Sequence, residues 1–167
     1  MQLNNKLLQY VIFGVLLFVS SLSFSQSENN FGTKDWISDG FEGSVYALPI
    51  NTQKLPVFDT MKPIGKIYIK ELNVSTRSWT NGFSGVTDRF EWFAIDYNGK
   101  FKVKKVGRYN FTLVSDDGSR LFIDDSLIVD NDGIHGPARK TGTIELNTSP
   151  HSLRVQYFQG PRTQIAL

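Results

Sequence analysis

The strongest structural signal in this chain lies in YNFTLVSDDGSRLFIDD, residues 109–125. Tyr109, Phe111 and Leu113 alternate with polar residues, which is the two-residue period of a strand that buries one face. Two adjacent aspartates and a glycine follow, a combination typical of a tight turn, and a second β-rich run begins directly after them. The stretch therefore predicts two strands that meet at an acidic turn.

Asp116 and Asp117 bring two carboxylates side by side at this turn. Like charges at such short range disfavour each other, so a protein that keeps them supplies a cation or leaves them in water. Calcium binds hard oxygen ligands of this kind in a flexible geometry. The same residues also suit a plain tight bend, because Asp and Gly are common turn residues. On these residues alone, a metal site and a simple turn both remain open.

From Gly40 onward, the sequence pattern is that of an all-β protein. Short β-rich runs are separated by turn residues, and no run of ten or more residues shows a sustained helical period, which favours a sandwich or a barrel. The last predicted strand runs up to Leu167 itself, so a longer parent protein is one interpretation. Phe90, Trp92 and Phe93 would fall on both faces of one strand. The predicted strands are Gly43–Ala47, Lys66–Leu72, Arg89–Asp96, Gly99–Val103, Tyr109–Ser115, Arg120–Ile123, Ser126–Val129, Thr141–Leu146, His151–Phe158 and Thr163–Leu167.

The N-terminal region has the layout of a secretory signal peptide, residues 1–25. Lys6 precedes an apolar run, Tyr10–Val19, and small residues lie before a cleavage point after Ser25. The apolar run is short for a membrane span, although an uncleaved anchor remains the alternative. We expect a flexible segment at 26–39, one domain at 40–167, and no membrane insertion after cleavage. The protein is therefore predicted to be secreted, periplasmic or on the cell surface.

Charge and cysteine content narrow the possible partners. Removing Lys6 lowers the formal charge from +2 to +1, which gives no electrostatic case for nucleic acid or an anionic membrane. The chain has no cysteine, so an exported domain of this kind depends on its hydrophobic core and on any metal that it binds.

No catalytic motif stands out, and the chain is predicted not to be an enzyme. His135 and His151 lie far apart in sequence, a thiol nucleophile is absent, and no Gly-x-Ser-x-Gly motif occurs. A glycosidase needs two carboxylates that face each other across a cleft, which spacing along strands does not reveal.

Several motifs appear in an order that resembles the β-sandwich domain family named after the fourteen-kilodalton N-terminal fragment of anthrax protective antigen. The resemblance covers Gly40 to Leu167, and it implies a single antiparallel sandwich of jelly-roll type. The motifs that carry it lie at 82–97, 107–111, 115–121, 129–133 and 156–160.

The resemblance also implies a site. Lectin members of that family bind Ca²⁺ through two adjacent aspartates joined by a cis peptide bond, with a late amide side chain and backbone carbonyls. The pair matches Asp116 and Asp117, the amide matches Gln159, and the carbonyls would come from the turn at 160–162.

The predicted function is that of an exported, calcium-dependent carbohydrate-binding module, similar to a lectin or adhesin. Its partner would be a cell-surface or cell-wall glycan, within a larger surface assembly if one exists. Arg162, Asn131 and His135 are expected to add hydrogen bonds to the sugar, while Asn131 or Asp132 could instead brace the site. The alternative is a structural or protein-interaction module of the same fold that binds no sugar.

Overall fold

The computed structural model describes residues 29–31, 40–86 and 88–167, and within them the protein is all-β, as predicted. The predicted signal peptide, residues 1–25, lies outside the described residues. Two single-turn 3-10 helices, Phe58–Thr60 and Trp79–Asn81, interrupt the strands. The strands are β1 Asn29–Phe31, β2 Phe41–Ala47, β3 Gly65–Ile69, β4 Arg77–Ser78, β5 Phe93–Phe101, β6 Gly107–Ser115, β7 Ser119–Ile123, β8 Ser126–Asn131, β9 Ala138–Leu146, β10 His151–Gln159 and β11 Gln164–Ile165.

A seven-stranded sheet forms one layer, in the order β1-β3-β2-β5-β10-β7-β8. Two small sheets, β6–β9 and β4–β11, supply the second layer. All pairings are antiparallel except that of β1 with β3, which is parallel. Strand β1 falls inside the segment 26–39 that was expected to be flexible, and the rest of that segment lies outside the described residues.

The main core lies between these layers and follows the alternation seen in the sequence. Along β6, Leu113 is buried and Tyr109 and Phe111 are half-buried, while the residues between them on the strand are more exposed. Each fully buried large apolar side chain contributes about 1.5–3 kcal/mol, so this cluster dominates the stability of the domain. Its buried members are Val45, Ile67, Phe83, Val86, Phe93, Ile95, Tyr97, Leu113, Leu121, Val129, Val155, Tyr157 and Ile165.

A second, smaller cluster covers the opposite face of the large sheet. The long connection between β2 and β3 folds over that face and buries Leu55 and Phe58 against Phe158 of β10. As a result, both faces of β10 are buried near its end. This double burial fixes the position of Gln159, the last residue of the strand.

Two predicted strands, Arg89–Asp96 and Gly99–Val103, prove to be parts of one strand, β5. Gly99 makes no turn, because it pairs with Phe41 of β2 on one side and with Leu153 of β10 on the other. A Cβ at this position would lie 2.8 Å from Cδ1 of Phe41. The predicted break was therefore wrong, since the glycine makes room for a ring rather than a bend.

The aromatic residues before β5 also differ from expectation. Phe90 and Trp92 precede the strand and do not share it with Phe93. Trp92 has φ of +57°, and its backbone N–H donates to the carbonyl of Gln159 at 2.9 Å. Phe90 is 42 % exposed and meets Trp79 edge-on at 6.1 Å. The positive φ of Trp92, which no sequence pattern indicated, turns the chain into the strand.

A tight bend joins β7 to β8. Asp124 and Asp125 have φ of +47° and +63°, the left-handed conformation that two-residue hairpin turns require. None of the helices in the described residues has the length and apolar character needed to cross a membrane.

Candidate functional site

The acidic pair lies where β6 gives way to β7. The peptide bond between Asp116 and Asp117 is cis, the form that the resemblance implied for lectin members. The backbone of Asp116 pairs with that of Ala166, whose carbonyl accepts the Asp116 N–H at 3.2 Å. The hydroxyl of Tyr157 donates to the Asp116 carbonyl at 2.7 Å. The main chain of Asp116 is therefore held in place without the use of its carboxyl group.

The Asp116 carboxyl group is buried without a hydrogen-bond partner. The residue is 0 % exposed, and neither of its carboxyl oxygens has a hydrogen-bond partner among the described residues. The pKa of this group is raised from 3.8 to about 6, mainly by burial and also by the neighbouring Asp117 carboxylate, while His135 lowers it. A buried charge that nothing compensates is costly, so this group calls for a proton, a water molecule or a cation.

The Asp117 carboxylate, in contrast, accepts hydrogen bonds from the backbone of two loops. One oxygen, Oδ1, accepts the backbone N–H of His135 at 3.1 Å. The other, Oδ2, accepts the backbone N–H of Gly160 at 2.8 Å. Burial raises the pKa of Asp117, and the Gly160 and His135 amides partly offset that rise. This carboxylate therefore has a fixed orientation.

Gln159 lies beside the pair and is fully buried. Its Oε1 lies 2.5 Å from the Tyr157 hydroxyl oxygen, and its Nε2 lies 3.5 Å from Oδ2 of Asp117. The same nitrogen is 3.0 Å from the carbonyl of Gln164 and 3.4 Å from that of Pro161. The structure thus brings the three predicted ligands together, but with the amide nitrogen towards the carboxylate. A half-turn of the amide exchanges its two ends in the same space.

Two glycines leave the space that the site needs. A Cβ on Gly118 would lie 2.3 Å from Cε1 of Phe158 and 2.8 Å from the backbone nitrogen of Gly133. A Cβ on Gly160 would lie 3.1 Å from Oδ2 of Asp117. The turn therefore packs too closely for a larger residue, and sequence analysis had given Gly160 only a place among the carbonyl ligands.

Asn131 and His135 act on the loop rather than facing outward. The Asn131 side chain is buried and donates from Nδ2 to Oγ of Ser115 at 2.9 Å and to the Ala138 carbonyl at 3.3 Å. The His135 ring contacts the carbonyls of Asn131 and Gly136 at 2.9 and 2.8 Å. Asn131 is therefore a brace, and His135 reaches the acidic pair through its backbone N–H.

Asp132 ties this loop to the rest of the domain. Its Oδ1 accepts the backbone N–H of Leu55 at 2.8 Å, and its Oδ2 lies 3.1 Å from Nη2 of Arg120. The bracing role considered for Asp132 thus has a geometric basis.

Arg162 is exposed, and its contacts are with the surface beside the turn. Its Nε lies 2.9 Å from Oε1 of Glu91, and its guanidinium lies 5.1 Å from the ring of Trp79. The side chain is 61 % exposed, so this pair and ring hold it at the surface without burying it.

One residue beside the site was missed by sequence analysis. Ile134 is 39 % exposed, and its Cδ1 lies 3.6 Å from the point where a Cβ on Gly160 would be. It therefore flanks the amide that binds Asp117. Its position in a glycine-flanked loop gave no signal that an apolar side chain would lie beside Gly160.

Comparisons with known proteins identify the fold. A family model described as the PA14 domain matches residues 64–167, which is more than half of the chain. No curated protein matches this chain. The PA14 domain of an antifreeze protein, MpAFP, aligns with a TM-score of 0.60 and 14 % identity over 76 % of this chain and 78 % of that one.

Two other solved structures have the same fold. The PA14 sugar-binding domain from an RTX adhesin aligns with a TM-score of 0.61 and 19 % identity, over 76 % of this chain and 86 % of that chain. The A domain of epithelial adhesin 9 from Candida glabrata, solved with Galβ1-3GlcNAc, gives a TM-score of 0.52 and 11 % identity over 81 % and 82 %.

These matches correct the family assignment made from the motifs. That assignment named the domain family of anthrax protective antigen, whereas the matching family model is that of the PA14 domain, and the PA14 structures that align come from an antifreeze protein and an adhesin. The chain belongs to the PA14 domain family.

Proposed function

We propose that this protein is a carbohydrate-binding module, similar to those of adhesins, that holds its sugar through Ca²⁺ at Asp116, Asp117 and Gln159. One observation carries the proposal: the buried Asp116 carboxyl group, of which neither oxygen has a partner. A divalent cation would satisfy both oxygens and offset the like charge of Asp117.

The donor set suits calcium better than a transition metal. Two carboxylates, a glutamine amide and backbone carbonyls are hard oxygen ligands, which calcium binds with a coordination number of about six to eight. Within the described part of the chain, no group of three or more His, Cys, Asp or Glu side chains is placed to hold a metal. Neutral oxygens would therefore have to complete the shell, and sugar hydroxyls are of that type.

The geometry around the pair favours a sugar as the outer ligand. Two vicinal hydroxyls can replace two waters on one open face of the ion. Ile134 would offer an apolar surface to the C–H face of the ring, and Arg162 with Glu91 would offer polar groups nearby. The RTX adhesin domain is described as sugar-binding, and the Candida glabrata adhesin domain was solved with a disaccharide.

The cellular role follows from the same proposal. An exported protein with this site would bind cell-surface or cell-wall glycans, and its task would be binding rather than catalysis. Hydrolysis of aryl glycosides by the purified chain, lost in Asp116→Asn, would contradict this part of the proposal.

Isothermal titration calorimetry with Ca²⁺, followed by a glycan array with and without EDTA, tests the function. The chain should bind calcium, and Asp116→Asn should weaken that binding at least a hundredfold. Asp130→Asn is the matched control, because Asp130 is an exposed carboxylate on β8 that pairs with Arg120. If calcium gives neither heat nor a change in melting temperature, the metal site is refuted. Calcium binding with a blank array would favour the structural or protein-interaction alternative.

A further inference from the structure

Two aromatic side chains lie at the surface beside the turn that follows Gln159. Trp79 begins the second 3-10 helix, and Phe90 meets its ring edge-on, with 6.1 Å between the ring centroids. Gly82 ends that helix with φ of +67°, and a Cβ on it would lie 3.2 Å from Cε1 of Phe90. The Phe90 ring is therefore held in place although it is 42 % exposed. A ring that is already ordered loses little side-chain entropy when a ligand covers it.

A charged pair borders these rings. Arg162 is fixed from two sides, because its Nε contacts Glu91 and its guanidinium lies within cation–π distance of the Trp79 ring. The contact with Glu91 uses Nε, and a guanidinium carries four further N–H donors on its terminal nitrogens. The surface therefore combines an aromatic ring with polar donors and an acceptor. A pyranose matches this combination, since it has C–H bonds on its faces and hydroxyls around its rim.

Backbone contacts join this surface to the acidic pair. The N–H of Trp92 donates to the carbonyl of Gln159, and β4, which pairs with β11, ends directly before the 3-10 helix. Gly160, whose N–H donates to Oδ2 of Asp117, is two residues from Arg162, so the Cα atoms of Gly160 and Arg162 lie within about 7 Å of each other. The rings and the acidic pair are therefore neighbouring parts of one continuous surface.

We propose that Trp79, Phe90, Glu91 and Arg162 form a second subsite, which binds the next, neutral residue of an oligosaccharide anchored at the calcium site. The inference rests on the proposed function and adds the class of ligand, an oligosaccharide rather than a monosaccharide. The electron-rich face of Phe90 contacts the C–H groups of the second sugar, and Arg162 with Glu91 binds its hydroxyls. The opposite charges of that pair favour a neutral sugar.

The link between the two sugars explains why a shallow surface is sufficient. Once the first residue is bound at the ion, the second meets the rings at a high effective concentration. A free monosaccharide gains nothing from the second subsite while it occupies the first. The subsite should therefore raise the affinity for oligosaccharides alone.

A glycan array in Ca²⁺ tests the proposal, with glucose, galactose, mannose, fucose and N-acetylglucosamine each printed alone and as the terminal residue of neutral di- and trisaccharides. The oligosaccharide with the strongest signal and its terminal monosaccharide are then compared by calorimetry. We expect the oligosaccharide to bind at least tenfold more tightly, and Phe90→Ala to remove that gain without changing the monosaccharide affinity. Equal affinities in the wild-type chain would overturn the second subsite and leave the proposed function intact, whereas a blank array would overturn both.

Further variants locate the gain. Phe90→Tyr keeps the ring and should keep the preference for the oligosaccharide. Leu127→Ala is the matched control, because Leu127 is 48 % exposed and lies beside the hairpin at the other end of β7 from the acidic pair. Should Phe90→Ala lose calcium binding altogether, Phe90→Leu repeats the test, since leucine fills the space beside Gly82 without a flat ring. A tenfold gain that survives the loss of the ring, or that Leu127→Ala also removes, would refute the assignment to Phe90.

Discussion

The two ends of β7 carry aspartates in opposite states. Before the strand, Asp116 is buried and neither carboxyl oxygen is bonded. After it, Asp124 accepts from the backbone N–H of Ser152 at 2.9 Å and contacts Nδ1 of His151 at 2.6 Å. The hydrogen bond from His151 lowers the pKa of Asp124, whereas burial raises that of Asp116 to about 6.

Asp124 therefore has a structural role, whereas the carboxyl group of Asp116 has no partner within the described part of the domain. Asp124 joins the β7–β8 turn to the start of β10, and every group in that contact belongs to the domain. Asp116 is held through its backbone, and no described residue forms a hydrogen bond with its carboxyl group. A domain that retains such a group weakens its own apo state, and this is common where a ligand restores the balance.

The largest expected effect is stabilisation by calcium. Because the ion would bind the folded domain and not the unfolded chain, Ca²⁺ at a thousandfold its dissociation constant should add about 4 kcal/mol to the free energy of unfolding. Urea unfolding with Ca²⁺ and with EDTA measures this. Asp116→Asn should abolish the difference, and Asp124→Asn should keep it. An equal response in the two variants would remove the contrast between the ends of β7.

The second effect is on the pH dependence of the calcium-free domain. The folded pKa of Asp116, about 6, lies above its ordinary value, so the folded state binds the proton more tightly than the unfolded state. Unfolding free energy should therefore rise as the pH falls from about 7 to about 4, by roughly 2–3 kcal/mol from this group. Urea titrations in EDTA across that range measure it. The rise should be smaller by that amount in Asp116→Asn, since Asp117, Asp124 and His151 titrate in both chains, and an equal rise in the variant and the wild-type chain would contradict the burial argument.

A smaller effect is expected from Gly160→Ala. The added methyl would press on Oδ2 of Asp117 at 3.1 Å, so calcium affinity should fall about tenfold, or 1.4 kcal/mol. Gly136→Ala is the control, since a Cβ there meets nothing within 4 Å although the residue lies in the adjoining loop. Calorimetry on both variants compares them, and equal affinities would show that Gly160 is not needed for spacing.

The smallest effect is expected at the other end of β7. The hydrogen bond to Asp124 raises the pKa of His151, and the Asn147 carbonyl adds to it. The stability that this pair gives is therefore present below the ordinary His pKa and is lost as the pH rises through the folded value. His151→Gln should destabilise the domain more at pH 5.5 than at pH 8, which lie about one unit below and about one and a half units above the ordinary His pKa. Denaturation at the two pH values measures this, and a larger loss at the higher pH would contradict the pairing.

The sequence predicts those features that depend on a pattern of side chains along the chain. The acidic pair was visible because its members are adjacent, and the alternation along β6 was visible because one face is buried. The backbone N–H groups of His135 and Gly160, which orient the Asp117 carboxylate, could not be identified from the sequence, since nearly every residue has a backbone N–H. The break predicted before Gly99 was wrong because the sequence alone does not distinguish a glycine that makes room for a ring from one that makes a turn.

The surroundings of the site were equally out of reach. The contact of Arg162 with Glu91 joins two separate loops, and the positive φ of Trp92 accompanies the hydrogen bond from its N–H to the Gln159 carbonyl. The amide of Gln159 could be placed near the pair by resemblance alone, because its position depends on burial of both faces of β10.

The Tyr157 hydroxyl has one hydrogen and two acceptors within reach, the Asp116 carbonyl and Oε1 of Gln159. Turning the amide removes this competition: Nε2 then donates to the phenol oxygen, and the phenol donates to the carbonyl. The same turn points Oε1 of Gln159 at the Asp117 carboxylate. Only a nearby cation would stabilise these oxygens side by side. In the proposed calcium complex, a half-turn of the Gln159 amide would therefore present its oxygen to the ion, and the Tyr157 hydroxyl would have a hydrogen-bond partner in either orientation.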